Sequence, residues 1–282
     1  TVTGVEGETG VITLTADKMQ GAAALSNMPG LNKYEAYIVS DSFPLLNIFH
    51  GGKGAISFTD EGVKGRVWSG KLATKFAGGT GTEADPYLIE TPEQLYKMVA
   101  EYSTYEASNG KFFKITEDLY LNDVKDGTPL ADLAYKNNWL KNYGSEVPTA
   151  SKANAFNGTL NGDNHTIYGL YVEDAASGGL FPAISSYTVV KNLAFNNVLI
   201  TGSGAGGALA GQAIYRAWQS AAAINGCSVV NATIGLNADK EFAGGLIGNI
   251  NDCSVIFTNC YAYDLSISNW DSKGTPGGLV GS

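Results

Sequence analysis

The stretch Gly244-Gly245-Leu246-Ile247-Gly248 decides how this chain is read, because the phrase recurs. It returns as Gly178-Gly179-Leu180-Phe181, Gly206-Gly207-Ala208-Leu209-Ala210-Gly211 and Gly277-Gly278-Leu279-Val280-Gly281. The second glycines stand at 179, 207, 245 and 278, giving spacings of 28, 38 and 33 residues. Self-similarity at periods of about 20–50 residues marks a repeat architecture, in which each unit buries its apolar face only against neighbours.

A second phrase gives the register. KNLAFNNVLI (191–200), NGCSVVNATI (225–234) and TNCYAYDLSI (258–267) align without gaps, their starts 34 and 33 residues apart. Leu193 then meets Cys227 and Cys260, Phe195 meets Val229 and Ala262, and Ile200 meets Ile234 and Ile267. Alternation of these residues with Asn, Ser and Thr is the period-2 signature of strands with one buried face. Apolar residues recurring in one column suit parallel windings stacked in register. The expected fold is all-β: a right-handed parallel β-helix, or solenoid, with an N-terminal capping helix, preceded by a small antiparallel β module.

Composition agrees with many tight turns between short strands. The chain of 282 residues holds 36 glycines, roughly twice the usual share, and only 8 prolines. Apolar residues make up 44% and charged residues 16%, ample for a continuous core. A net charge of −9 argues against nucleic acid or an anionic membrane as partner, since both reward Lys/Arg clusters. No apolar run reaches the ~18 residues that span a bilayer, so no membrane insertion is expected within this segment. The start at Thr1, without an initiator Met, is read as a removed leader or a cut chain, and the ending after a repeat phrase as a truncated solenoid. Cys227 and Cys260 share a column, where parallel side chains pair poorly as a disulfide, and Cys253 lacks an obvious mate.

Residues 1–75 carry no repeat phrase. VITLTAD (11–17), YEAYIVSD (34–41), GAISFTD (54–60) and VKGRVWSG (63–70) read as strands of the small β module. The solenoid is assigned to residues 76–282. Near its start Thr91 is an N-cap, Pro92 fits the first helical position and Gln94 completes a capping box. Leu95, Met98, Val99 and Tyr102 share one helical face, suited to covering the open end of a solenoid. FFKITEDLYL (112–121) reads as the first coil strand.

The ordered run GTEADPYLIETPEQL (81–95), ITEDLYLND (115–123), Trp139, FNGTLNGDNHTIYGL (156–170), Gly-Gly-Leu-Phe, VVKNL (189–193) and Gly-Gly-Leu-Ile-Gly resembles bacterial surface proteins with GLUG-motif repeats. The resemblance covers roughly residues 78–282, and departs from the repeat at Phe181-Pro182 and Ala208. It implies an extracellular, adhesin-like or cell-wall protein of right-handed β-helix architecture. Some such proteins accompany immunoglobulin A-cleaving zinc metallopeptidases.

Motifs for chemistry are sparse. A zincin helix needs H-E-x-x-H, whereas the only histidines are His50 and His165, both read as turn residues. The acids Asp163, Glu173, Asp174, Asp252, Asp264 and Asp271 are scattered, without the carboxyl pair that glycoside hydrolysis uses. No catalytic residue, metal site or cofactor is proposed. The 207-to-245 interval exceeds the next one, and the extra length is placed in GQAIYRAWQSAAA (211–223). Insertions in repeat proteins map to loops on one face, often the binding face. Tyr215, Arg216 and Trp218 are therefore the leading ligand-contact candidates, followed by Trp139 and Tyr143 in a long loop and by Trp270.

The reading is a non-catalytic cell-surface adhesin or structural spacer, located extracellularly, whose loops meet host or cell-wall glycan or protein. Two alternatives remain: a carbohydrate-active β-helix enzyme (polysaccharide lyase or hydrolase), and an accessory domain of a larger surface protease.

Overall fold

A computed structural model describes residues 37–38, 45–46, 67–124, 129–134, 136–141, 150–214, 220–236, 242–269 and 275–281. The chain divides into two compact units, Thr1–Ser57 and Phe58–Ser282. In the first, β1 (Tyr37–Ile38) and β2 (Leu45–Leu46) pair antiparallel, with Tyr37 opposite Leu46. The other strands expected before residue 63 lie outside the described residues.

The second unit is mostly strand, and its sheets are parallel. Its strands are β3 (Tyr87–Ile89), β4 (Phe112–Ile115), β5 (Leu119–Tyr120), β6 (Thr159–Tyr168), β7 (Tyr171–Gly178) and β8 (Phe181–Ser185). They continue as β9 (Val189–Gly206), β10 (Ala210–Ile214), β11 (Ala221–Asn225), β12 (Ser228–Leu236) and β13 (Phe242–Gly244). The last are β14 (Ile247–Asn251), β15 (Ser254–Thr258), β16 (Tyr261–Asn269) and β17 (Thr275–Gly277). One path of parallel pairing runs β3-β4-β6-β9-β11-β15, a second runs β8-β10-β14, and β12 lies between β9 and β16.

The register is the one read from sequence. Phe195 pairs with Val229 and Val229 with Ala262; Ile200 pairs with Ile234 and Ile234 with Ile267. A third interior column runs Phe113, Leu160, Val190, Ile224 and Phe257. All these residues belong to, or pack against, one hydrophobic cluster. Each buried Val, Leu, Ile or Phe contributes about 1.5–3 kcal/mol relative to exposure, so successive columns supply most of the unit's stabilisation.

Two rows of left-handed backbone mark where the strands bend. Asn164, Asn192, Gly226 and Asn259 form one row, with φ of 66°, 55°, 60° and 53°. Gly169, Asn197, Asn231 and Asp264 form the other, with φ of 71°, 57°, 54° and 53°. Asn, Asp and Gly are the residues that accept this conformation at low cost, so the polar turns have a conformational cause.

The helix α1 (Pro92–Tyr102) has the expected cap: Thr91 Oγ1 accepts from Gln94 N, and Gln94 Oε1 accepts from Thr91 N. Its position differs in one respect. The three-residue β3 precedes it and already pairs with β4, so α1 follows the first parallel strand. A run as short as Tyr87–Ile89 carries too little alternation to register as a strand. A four-residue helix α2 (Tyr105–Ser108) follows. Against α1, Tyr96 meets Trp68 and Trp139 with ring centroids 5.6 and 5.4 Å apart. Trp68 therefore belongs to this core although it lies in the stretch 1–75 set apart by sequence.

The glycine doublets let adjacent repeats touch backbone to backbone. A Cβ on Gly207 would lie 2.7 Å from Ile247 Cα and Leu246 O, whereas one on Gly278 would meet nothing within 4 Å. Gly207→Ala is expected to lose about 1–3 kcal/mol in urea unfolding, as overpacked sites do, and Gly278→Ala less than about 0.5 kcal/mol. Equal midpoints for the two variants would refute close approach as the reason for the doublet.

Candidate functional site

Alternation along a strand sends Phe113 inward and therefore Phe112 and Lys114 outward. Register extends this into two outward columns across β4, β6, β9, β11 and β15. One is Phe112, Thr159, Val189, Ala223 and Ile256; the other is Lys114, Asn161, Lys191, Asn225 and Thr258. The first column is largely apolar, and Ile256 is 57% exposed. The second is polar and carries two lysines.

A depression of about 230 Å³ opens at the β4 end of these columns. Tyr105, Asn109, Lys111, Phe112, Asn157, Thr159 and Tyr187 line it, and Tyr187 is 45% exposed. Its floor is fixed by hydrogen bonds. Asn157 N donates to Ser108 Oγ at 2.8 Å, Asn157 Nδ2 donates to Asn109 Oδ1 at 3.0 Å, and the Ser185 hydroxyl donates to Asn157 Oδ1. Lys114 Nζ pairs with Asp163 Oδ2 at 3.0 Å. Lys111 and Lys191 have no carboxylate partner among the described residues. The face thus offers two uncommitted ammonium groups beside an exposed tyrosine ring, an arrangement suited to anionic, hydroxyl-rich ligands.

On the neighbouring edge His165 Nδ1 lies 3.2 Å from Asp118 Oδ1, which also accepts from Thr166 N at 3.0 Å. The turn reading of His165 foresaw a local hydrogen bond, whereas its partner Asp118 lies 47 positions earlier in the chain. Burial, then the Asp118 charge, pushes the Tyr168 phenol up to about 12, so it is protonated at neutral pH. The scattered acids also find places. Asp163, Asp252 and Asp264 adopt positive φ of 50°, 52° and 53°, so each serves a bend. Glu173 is exposed. His50, Asp271 and the side chain of Asp174 lie outside the described residues.

The sequence-chosen contact residues fare differently. Trp139 is fully enclosed: its ring lies 5.0 Å from that of Trp68, and its Nε1 donates to Leu180 O at 3.0 Å. An enclosed ring presents no face to a ligand, which corrects its selection. A loop position had suggested exposure, but the loop folds its indole into the core. Tyr143, Tyr215, Arg216, Trp218 and Trp270 lie outside the described residues. Register nevertheless locates the insertion. Ile214 pairs with Asn251, an offset of 37, and Ala221 with Ser254, an offset of 33, so four extra residues fall between Ile214 and Ala221. The fifth is no insertion: Gly206 is level with Ala243 and Ala210 with Ile247, both an offset of 37, so Gly207 is level with Gly244, not Gly245. Ala208 is then level with Gly245. The lysine face went unread although Phe112-Phe113-Lys114 and Val189-Val190-Lys191 repeat one apolar–apolar–Lys pattern.

No family model matches the chain, so the GLUG resemblance stands on its motifs alone. The chain is 33% identical over 133 residues to the "Putative Gly-rich membrane protein" of Evansella cellulosilytica, covering 46% of this chain and 13% of that protein. It is 26% identical over 197 residues to "Halomucin" of Haloquadratum walsbyi, covering 68% of this chain and 2% of that protein. The chain therefore spans only a small part of the length of either relative. Among solved structures, the crystal structure of a "putative immunoglobulin A1 protease" from Bacteroides ovatus superposes with a TM-score of 0.46 at 17% identity, covering 73% of this chain and 74% of that one. Among the described residues no helix is long and apolar enough to cross a membrane.

The three cysteines are free. Cys227 is buried and Cys260, one repeat on, is half-buried. A hydrogen bond from the Cys227 thiol lowers Cys260 to about 6 and raises Cys227, while burial raises Cys253 to about 11. Burial opposes the lowering of Cys260, and backbone hydrogen bonds at Cys227, Thr258 and Gly226 add to it, so the Cys227 thiol is the largest of several causes. Since the thiolate is the reactive species, iodoacetamide is expected to label Cys260 first near neutral pH. Its rate should level off above about pH 7, while that of Cys253 still climbs. Cys227→Ala should slow Cys260 labelling, read by mass spectrometry; an unchanged rate would remove Cys227 as the cause.

Proposed function

We propose that residues 76–282, with Trp68 packed beneath α1, form a right-handed parallel β-helix of GLUG-type repeats. In this reading α1 caps the first windings, residues 1–57 are a separate β module, and the whole belongs to a protein of the bacterial cell surface. Its role is that of a non-catalytic spacer or adhesin presenting loops to host protein or glycan. The observation that carries this is the in-register parallel pairing of β6, β9, β12 and β16, which repeats one interior column three or four times over. A repeat stack of this kind propagates a rigid body while its outer residues vary freely. Parallel crossovers in one sheet are right-handed in about 98% of cases, which supports the hand. A relative named as a membrane protein and another named halomucin support a surface location.

The insertion between Ile214 and Ala221 is the foremost contact loop in this proposal, because it departs from the period and carries Tyr215, Arg216 and Trp218. Glycan and host-protein arrays probed with the chain and with Trp218→Ala test it. Spots bound by the chain are expected to weaken at least about tenfold for the variant, a hot-spot-sized loss. Equal signals would exclude the loop as the contact while leaving the spacer role. Depolymerisation of any polysaccharide on the panel would overturn the non-catalytic reading.

A further inference from the structure

We propose that the outward face of β4, β6 and β9 is a binding site for an acidic polysaccharide, a chain bearing uronate carboxylates, laid across the strands. This deepens the glycan-contact part of the reading above and rests on it, but places the contact on the sheet face, away from the 215–220 insertion.

The argument begins with charge. The chain carries −9 overall, so an anionic ligand needs local cations that are not already neutralised. The lysines of this face meet that need. Lys111 lines the depression, and Lys191 projects from β9; neither has a carboxylate partner among the described residues. Lys114, three residues beyond Lys111, is already paired with Asp163.

Spacing and shape point to a sugar chain. Lys114 and Lys191 occupy one column two strands apart, which puts their backbones about 10 Å from each other. A pyranose chain running along the column advances about one ring per strand, and Asn161 stands between the two cations to meet hydroxyls. Beside this row runs the apolar column of Phe112, Thr159 and Val189, against which the C–H faces of sugar rings can rest. Tyr187, 45% exposed at the rim of the depression, supplies an aromatic face beside Lys111. The depression would then hold one sugar unit and the columns its neighbours. A folded acidic protein would match the charge but not the one-ring-per-strand advance, and a neutral glycan would leave the lysines unused.

Immobilised polygalacturonate, its carboxyl-reduced neutral counterpart and polyglutamate form the test. The chain is expected to bind polygalacturonate at low salt, with binding lost as salt rises, because exposed ion pairs are screened. Carboxyl reduction and the double substitution Lys111→Gln/Lys191→Gln are each expected to weaken binding about tenfold, the combined effect of two exposed pairs. Lys75→Gln, an exposed lysine elsewhere, should bind as the parent does. Tyr187→Ala should reduce binding to polygalacturonate while leaving any weak binding to polyglutamate unchanged. Equal binding of native and reduced polymer, equal binding of polyglutamate, or an unaffected double variant would each overturn the proposal. So would failure to bind polygalacturonate at low salt. If that failure came while Trp218-dependent array spots persisted, this site would fall and the spacer-adhesin reading would stand.

Discussion

Parallel backbone pairing at a fixed offset forces like residues onto like, and nearly everything else in the second unit follows from that constraint. Val229 sits between Phe195 and Ala262, and Ile234 between Ile200 and Ile267. A polar residue at any of these positions would be buried without the ladder partners already used by the backbone, at a cost of about 1–3 kcal/mol. The constraint acts on conformation as well as polarity. A bend at one level must be matched by a bend at the next, or pairing is lost on its far side. This is why left-handed residues occur in rows, and why each row contains only Asn, Asp or Gly.

The same constraint separates positions that hold the fold from positions free to act. Asp264 is instructive, because a carboxylate on a parallel β face invites an enzymatic reading. Its level counterparts are Asn231, Asn197 and Gly169, and all four share positive φ. What the position selects is a backbone conformation, and the charge is incidental to it. Freedom lies instead in outward columns and in connections. Between Ile214 and Ala221 four added residues leave the flanking registers undisturbed, since β10 pairs with β14 and β11 with β15 on either side. Length can be inserted there because no ladder crosses it.

How much of this was legible in the sequence depends on how local the deciding interaction is. The interior columns and the capping box of α1 were readable, because period-2 alternation and a Thr-Pro-x-Gln start are written within ten residues. The phase of the second doublet was not. Matching doublets by eye aligned Gly207 with Gly245, whereas the ladder puts Gly206 level with Ala243. Only pairing on both sides of the doublet fixes the count. Trp139 was misjudged for a related reason: burial of a loop residue is decided by Trp68, Tyr96 and Leu180, which lie 71, 43 and 41 positions away in the chain. The lysine face was missed because its signal is relational. Lys114 and Lys191 stand 77 residues apart, and only the β4-β6-β9 order brings them into one column.

Burial along the interior column adds a final step. Phe113, Leu160, Val190 and Ile224 are at most 1% exposed, whereas Phe257, at the next level, is half-buried. Toward β3 the column ends at Tyr87, level with Phe113, where the rings of Phe76 and of Tyr102 in α1 lie 5.8 and 5.1 Å from that of Phe113. Rings suit that place because β3 is the last strand on this path, and a few bulky side chains must cover what a further paired strand covers elsewhere. Toward β15 and β16 each level still presents the column pattern, with Ala262, Leu265 and Ile267 partly buried against the cluster. A repeat is sealed by whatever lies on both sides of it, so equivalent residues differ in exposure according to their neighbours. Stability here is accordingly a property of adjacent pairs of levels. Gly207 lies between two such levels, where an added Cβ would meet backbone at 2.7 Å, whereas at Gly278 it would meet nothing within 4 Å.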